Sequence, residues 1–265
     1  MDVTATGYVF AGSDRAYAPE QYRCLANAYD PFTTERLAGT GVTVGWHCLE
    51  VGAGGGSVAS WLARRVLPSG SVLATDLEPV DIPPAPGLSV RRHDIVVDPL
   101  PAASFDLIHA RLVLMLLPQR HAVLGRLVRA LKPGGWLQLD EFDLAYGPVL
   151  LAPDERAREV YEAFQAAKIR AMRASGVDPA WGRHAAAAML DAGLVAVGSV
   201  PRVWPWRAGS PGVRLLVNHT HQLRDRLLAA GLTDAQLAEV RALLAHPGFQ
   251  ACSSPFYSVQ GRRPW

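Results

Sequence analysis

The segment Glu50-Val51-Gly52-Ala53-Gly54-Gly55-Gly56 constrains this chain more than any other feature. It joins an apolar run over 46–51 to a helical pattern in which Val58, Trp61, Leu62 and Val66 share one face. That pattern stops at Pro68-Ser69-Gly70. Glycines at a strand-to-helix junction remove the β-carbons that keep a ligand away from the backbone, and the helix amino end offers unpaired N–H groups. Such a junction opens an α/β unit and is a natural nucleotide-binding turn.

The hundred residues around the turn keep the same rhythm. β-rich runs near 46–51, 71–76, 88–94, 105–109 and 135–141 alternate with helical stretches, the pattern of a parallel sheet covered on both faces. A second helix groups Val123, Leu124, Leu127 and Leu131 and stops at Lys132-Pro133-Gly134-Gly135. Each strand ends in or beside a polar residue, and open α/β sheets bind ligands at the carboxyl ends of their strands. Asp76 stands 24 residues after Gly52 at the end of the next strand, where an acidic residue accepts hydrogen bonds from the hydroxyls of an adenosine ribose. The expected fold is α/β, a Rossmann-like doubly wound seven-stranded sheet with helical cap insertions.

Outside this region the periodicity changes. Residues 1–45 read as a loop and short helices punctuated by Pro19 and Asp30-Pro31-Phe32-Thr33, an N-terminal helical lid. Residues 46–265 form the main domain, with cap insertions at about 147–193 and 208–250. Residues 153–175 carry one long helical pattern with Val160, Tyr161, Phe164 and Ala167 on its apolar side. A helix from Asp178-Pro179 to about residue 192, a strand over 195–203, helices over 211–230 and 233–244, and a closing strand over 256–260 follow. Thr233 and Gln236 are spaced as a capping box.

Composition narrows the classes. Hydrophobic residues make up 49% and charged residues 19%, enough to bury a sizeable core. A formal charge of +2, with arginines scattered singly or in pairs, argues against nucleic acid as the partner. Cys24, Cys48 and Cys252 are too widely spaced for a disulfide framework or a zinc site. Together with a start that lacks a secretory pattern and the lack of any membrane-length apolar run, this leads us to expect a cytoplasmic protein without membrane attachment.

The turn and Asp76 suit either a nicotinamide dinucleotide or S-adenosylmethionine (SAM), and three further features separate them. Glu50 before the turn suits a cofactor with a free ammonium better than one with a pyrophosphate. Arg92-His93-Asp94-Ile95 sets a carboxylate and an aliphatic side chain where an adenine would donate and pack. Phe105-Asp106-Leu107-Ile108-His109-Ala110-Arg111 is followed, after a helix, by Leu131-Lys132-Pro133-Gly134-Gly135-Trp136-Leu137. Over roughly 45–145 the chain resembles the class I SAM-dependent methyltransferases, particularly small-molecule enzymes related to the ubiquinone and menaquinone C-methyltransferases. The resemblance implies that Glu50, Gly52, Ala53, Gly54 and Gly56 face the methionine end of SAM, Asp76 and Leu77 the ribose, and Asp94 and Ile95 the adenine. It sets Ala110 and Arg111 at the border with the substrate.

Methyl transfer from a sulfonium is an in-line displacement in which alignment and water exclusion supply much of the rate, so a dedicated base is optional. The candidates for catalytic contact are Glu141 at the end of the fifth strand, Arg111, and His219. His219 recurs with Gln222 and Arg226 on the polar side of a cap helix. Asp140 and Asp143 accompany Glu141, whereas His109 reads as a packed strand-end residue and His47 as structural. Trp181, Trp204, Trp206, Tyr161 and Phe164 suit either an apolar acceptor pocket or ordinary core. The expected partner is a small-molecule methyl acceptor, a specialised metabolite, with no metal; a homodimer is an open alternative to a monomer. The rival readings are a SAM-binding enzyme that catalyses a cyclisation or decarboxylation, a nicotinamide-dependent oxidoreductase, and a silent SAM-binding protein.

Overall fold

A computed structural model describes residues 15–79 and 82–265. The expected lid over 1–45 therefore falls partly on residues 1–14, outside those described. A short turn of helix, Arg15–Tyr17, leads into α1 (Ala18–Gly39). The first half of the sheet follows as β1 (His47–Val51), α2 (Ser57–Val66), β2 (Ser71–Asp76), β3 (Leu88–Arg92), β4 (Phe105–Arg111), α3 (Arg120–Ala130) and β5 (Leu131–Phe142). The remainder comprises β6 (Val149–Leu151), α4 (Glu155–Ala174), α5 (Trp181–Asp191), β7 (Val195–Arg202), β8 (Pro205–Arg207), α6 (Pro211–Gln222), α7 (Arg224–Ala229), α8 (Asp234–Ala245), β9 (Gln250–Cys252) and β10 (Phe256–Arg262).

Seven strands form one sheet in the order β3-β2-β1-β4-β5-β10-β7, with β10 antiparallel to both neighbours and the first five strands parallel. Chain order runs outward from β1 to β3 and then crosses to β4, so the strand order reverses between β1 and β4. The crevice outside their carboxyl ends is where such sheets take ligands. Helices cover both faces. Val58, Leu62 and Val66 of α2 pack with Cys48, Val72, Ala74 and Leu107 on one face. On the other, Val123, Leu124 and Leu127 of α3 and Trp181, Ala185 and Met189 of α5 join Ile108, Leu137, Leu139 and Val259.

Three sequence expectations are corrected. The N-terminal short helices are one 22-residue helix, α1, which runs through Pro31. Proline removes an intrahelical donor, yet Tyr29, Phe32, Thr33 and Leu37 of α1 are buried, and that burial offsets the lost hydrogen bond. The expected helix over 211–230 is broken at Leu223 into α6 and α7. The third strand stops at Arg92, which leaves Asp94 in a turn that accepts the amides of Val97 and Asp98 on its carbonyl.

The cap segments carry strong local signals at their helix starts. Asp154 accepts the Ala157 amide at 2.8 Å, Ser210 precedes a proline at the start of α6, and Thr233 with Gln236 closes a capping box on α8. A second, three-stranded sheet in the order β6-β9-β8 ties the cap segments together. No helix among the described residues is long and apolar enough to cross a membrane.

Candidate active site

The glycine turn lies in the crevice between β1 and β4, at the carboxyl end of β1. Gly52, Gly54 and Gly56 have φ of 67°, 51° and 74°, the left-handed region that side chains disfavour. The turn is also crowded. A β-carbon at Gly52 would lie 2.5 Å from Val113 Cγ2, one at Gly54 2.9 Å from Tyr22 Cε1, and one at Gly56 2.5 Å from Ile82 Cγ2. Val113, Tyr22 and Ile82 thus roof a cradle that only glycine backbone fits. Gly56 caps the amino end of α2, and the Ala53 amide is anchored on the Thr75 carbonyl at 2.9 Å.

Asp76, at the end of β2, is joined to this turn. Its Oδ2 accepts the Gly54 amide at 2.9 Å and its Oδ1 the Glu78 amide at 3.1 Å. A carboxylate has about four acceptor positions, so two remain for a ligand. Leu77 beside it is 36% exposed. Asp94 Oδ1 accepts the Val96 amide at 2.8 Å, and Ile95 is buried. Tyr22 lies near enough to the turn that burial, with the Asp76 and Glu78 charges behind it, raises its phenol pKa.

Glu50 is buried, with Oε2 2.7 Å from His109 Nδ1. On the other side of the ring, Nε2 lies 3.2 Å from Asp140 Oδ2, which also accepts the Thr33 hydroxyl at 2.6 Å. Burial alone disfavours the imidazolium, but the Glu50 and Asp140 carboxylates more than offset it and raise the His109 pKa to about 9. Burial also works against the Asp140 carboxylate, and its hydrogen bond and ion pair with His109 reverse this, so its pKa is lowered. Gln138 Nε2 reaches Asp140 at 3.1 Å, and Gln260 Nε2 reaches Gln138 Oε1 at 2.8 Å. Strand register explains the grouping: Glu50 is paired with His109, His109 with Gln138, and Gln138 with Gln260. A paired polar belt therefore crosses four strands beneath α1.

The remaining candidates separate by position. Ala110 is fully buried beside the turn, and Arg111 Nη1 pairs with Asp30 Oδ1 of α1 at 2.7 Å. Glu141 points to the opposite face of β5, where Oε1 accepts the Leu114 amide at 2.9 Å. Full burial, opposed by the amides of Leu114 and Met115, raises its pKa to about 8, so it is a neutral acid at pH 7. Asp143 is bound by Arg183 of α5 through both oxygens, at 2.5 and 2.7 Å. His219 lies in the cap, on α6; burial and the Lys168 charge lower its pKa to about 3. Neither hydrogen bonds nor ion pairs within the belt include it. Gln222 accepts from Asn218 and Arg226 donates to Ser175, both within the cap.

Of the aromatic candidates, Trp181, Tyr161 and Phe164 are core, whereas Trp204 and Trp206 join Tyr29, Phe32 and Arg202 around a cavity of about 300 Å³. His47 Nδ1 lies 2.8 Å from Ser71 Oγ on the adjoining strand. Tyr22 and Asp30 were missed in the sequence because their helix was read as broken. Residues 22, 26, 30 and 33 share one helical face, a periodicity that identifies them once Pro31 is allowed inside the helix. Among the described residues no three His, Cys, Asp or Glu side chains cluster as a metal site.

Left-handed glycines under close cover, a carboxylate tied to their amides, and a second carboxylate at the end of β1 fit a nucleoside that bears an amino acid. Comparison with known proteins agrees: residues 49–139 match the family described as a methyltransferase domain. Those residues form a class I methyltransferase domain. The chain is 41% identical over 138 residues to methyltransferase str2 of Strobilurus tenacellus, covering 51% of this chain and 48% of the relative. It is 30% identical over 181 residues to methyltransferase str3 of the same organism, covering 67% and 62%. The matches thus span about half to three-fifths of the length of these relatives. The YcgJ protein of Bacillus subtilis has the same fold, with a TM-score of 0.59 at 14% identity over 89% of this chain and 100% of that one. The methyltransferase domain contains the glycine turn, Asp76, Asp94 and most of the belt, while α1, the cap and β10 lie outside it.

Proposed function

We propose that the protein transfers the methyl group of SAM to a small molecule, and that the acceptor is a specialised metabolite bound under the cap. The observation that carries this reading is the hydrogen bond from the Gly54 amide to Asp76 within a turn of three left-handed glycines. Bound there, SAM supplies a methyl group on a sulfonium, open to displacement.

The chain's own groups hold and align. Gly52, Ala53, Gly54 and Gly56 present backbone to the methionine end, and the acceptor positions left on Asp76 receive the ribose hydroxyls. Leu77, Asp94 and Ile95 border the adenine. Glu50, oriented by the charged His109 ring, takes the ammonium. Arg111, held by Asp30 of α1, borders the acceptor. Glu141 keeps its proton at pH 7 and holds the 114–116 turn, so we assign it a positioning role. His219 belongs to the acceptor side of the cap. The two relatives named as methyltransferases support the reaction class. The three widely spaced cysteines support a cytoplasmic setting.

The test is incubation of the purified protein with methyl-labelled SAM and small-molecule extracts. Transfer of label to a product, with release of S-adenosylhomocysteine, is expected. Binding of SAM with product formed but no S-adenosylhomocysteine released would point to a non-methylating enzyme of the same fold. Binding of NAD in place of SAM would overturn the reading altogether.

A further inference from the structure

The first turns of α1 are held by a neighbouring helix. Tyr17, at the N-cap, gives the helix no side-chain hydrogen bond, and a helix end without such a cap frays. Among the described residues, α6 of the cap supplies the holding contacts. Arg214 donates from Nε and Nη2 to Oε1 of Glu20, at 2.9 and 2.6 Å. Asn218 donates from Nδ2 to the Tyr17 carbonyl at 3.0 Å, and the His221 ring stacks on Tyr17 with centroids 5.1 Å apart and planes 9° from parallel. Residues 214, 218 and 221 recur at helical spacing, so one face of α6 makes the whole attachment. Burial works against the Glu20 carboxylate, but its hydrogen bonds with Arg214 and Arg23 outweigh that and lower its pKa to about 2, which keeps the pair charged at pH 7.

The attachment holds Tyr22 in place. A β-carbon at Gly54 would lie 2.9 Å from Tyr22 Cε1 and 3.0 Å from Cδ1, and one at Gly55 would lie 3.0 Å from Tyr22 Cβ. Tyr22 therefore covers the face of the turn that the missing β-carbons leave open to a ligand. A tyrosine ring and a nucleoside cannot share that face. Glu20 stands two residues before Tyr22, so a ligand that displaces Tyr22 also pulls on the turn of α1 that Arg214 holds.

We propose that α6 latches Tyr22 over the glycine turn through Arg214 on Glu20, and that a nucleoside cofactor seats there only when the latch releases the first turns of α1. The proposal rests on the reading of the turn as the cofactor site. Arg214 and Glu20 are positioning residues that act through Tyr22. Their ion pair is part-exposed, at 42% and 30%, and such a pair is weak enough to open and is sensitive to salt. The latch slows cofactor uptake, and the apparent affinity falls with the fraction of molecules that are open.

The test measures S-adenosylhomocysteine binding to the full chain by surface plasmon resonance, in the wild type, Arg214→Met, Arg214→Lys and Tyr22→Ala. Arg214→Met is expected to associate about three- to fivefold faster and to bind more tightly by a similar factor, as a part-exposed ion pair allows. Arg214→Lys should stay near the wild type, and Tyr22→Ala should associate faster still. Raising sodium chloride from about 0.05 to about 0.5 M should speed the wild type toward Arg214→Met and leave that variant unchanged. Weaker binding in Tyr22→Ala would make Tyr22 a cofactor contact and overturn the proposal, as would an unchanged association rate in Arg214→Met. Hydrogen exchange at the amides of residues 22–26 reads the latch without the cofactor. Exchange there should be several-fold faster in Arg214→Met, and faster in the wild type once S-adenosylhomocysteine is bound; protection by S-adenosylhomocysteine, or equal exchange in wild type and Arg214→Met, overturns the latch. A wild type that binds no S-adenosylhomocysteine, with the exchange difference in Arg214→Met intact, would refute the methyl-transfer reading and leave the latch standing.

Discussion

The sheet and the cap each bury charge, and they treat it in opposite ways. Across the sheet, His109 lies between Glu50 and Asp140, and the Asp140 carboxylate is further held by Thr33 and Gln138. In the cap, Lys168 meets an aromatic ring and, among the described residues, no carboxylate. A buried charge that is hydrogen-bonded on several sides makes a rigid part of the scaffold, whereas one without a counter-ion costs stability. The two halves of the molecule thus differ: one pairs its charges around the cofactor turn, and the other sets its buried charge against an aromatic ring.

This contrast is most severely tested at His109. His109→Ala leaves the Glu50 and Asp140 carboxylates buried without their shared cation and is expected to cost about 3 to 5 kcal/mol in urea denaturation. A loss below about 1 kcal/mol would mean that the belt is not a paired network. The pH dependence comes next, at a few kcal/mol. The His109 pKa is raised in the folded state, so its contribution is complete below about 6.5 and is lost as pH rises through about 9. The neutral Glu141 acts in the same direction, with its contribution lost as pH rises from about 4.5 through about 8. Stability should therefore decline from pH 6 to 9, and His109→Gln should flatten the upper part of that decline.

Smaller effects sharpen the division. Asp76→Ala is expected to weaken SAM binding by about 1 to 3 kcal/mol, measured by calorimetry. Unchanged SAM affinity would remove Asp76 from the cofactor site. Least of all, Thr233→Ala breaks the capping box of α8 and should lower stability by about 1 kcal/mol without altering SAM affinity. A large loss of SAM binding in that variant would show that the cap and the turn are not separable.

The sheet half was legible in the sequence because each strand is a short β-rich run and the glycine turn fixes where the first helix begins. The position of Asp76 followed from a strand end alone, whereas Asp94, read as the end of the third strand, lies beyond it in a turn. The belt was not legible, because its members stand 59, 31 and 122 residues apart and meet only through strand register. Each strand did carry its polar residue, but nothing local says which partner it will find. The small β6-β9-β8 sheet was missed for a related reason: three residues are too few to show a period of two. At α1 the local rule pointed the wrong way, since Asp30-Pro31 is a breaker until tertiary burial outweighs it. The unpaired charge of Lys168 was invisible as well, because a lone lysine on a helical pattern reads as solvent-facing until the opposite wall is known.

The belt also works as an alignment key for the chain. Apolar strands can slide against one another at modest cost, because one valine replaces another. A slip of one residue in β4 would turn His109 to the face lined by Leu137, Leu139 and α3, and strand Glu50 and Asp140 opposite Ile108. Wrong registers are thereby penalised by several buried polar groups at once. The belt thereby fixes the register in which the carboxyl ends of β1 and β4 border one crevice.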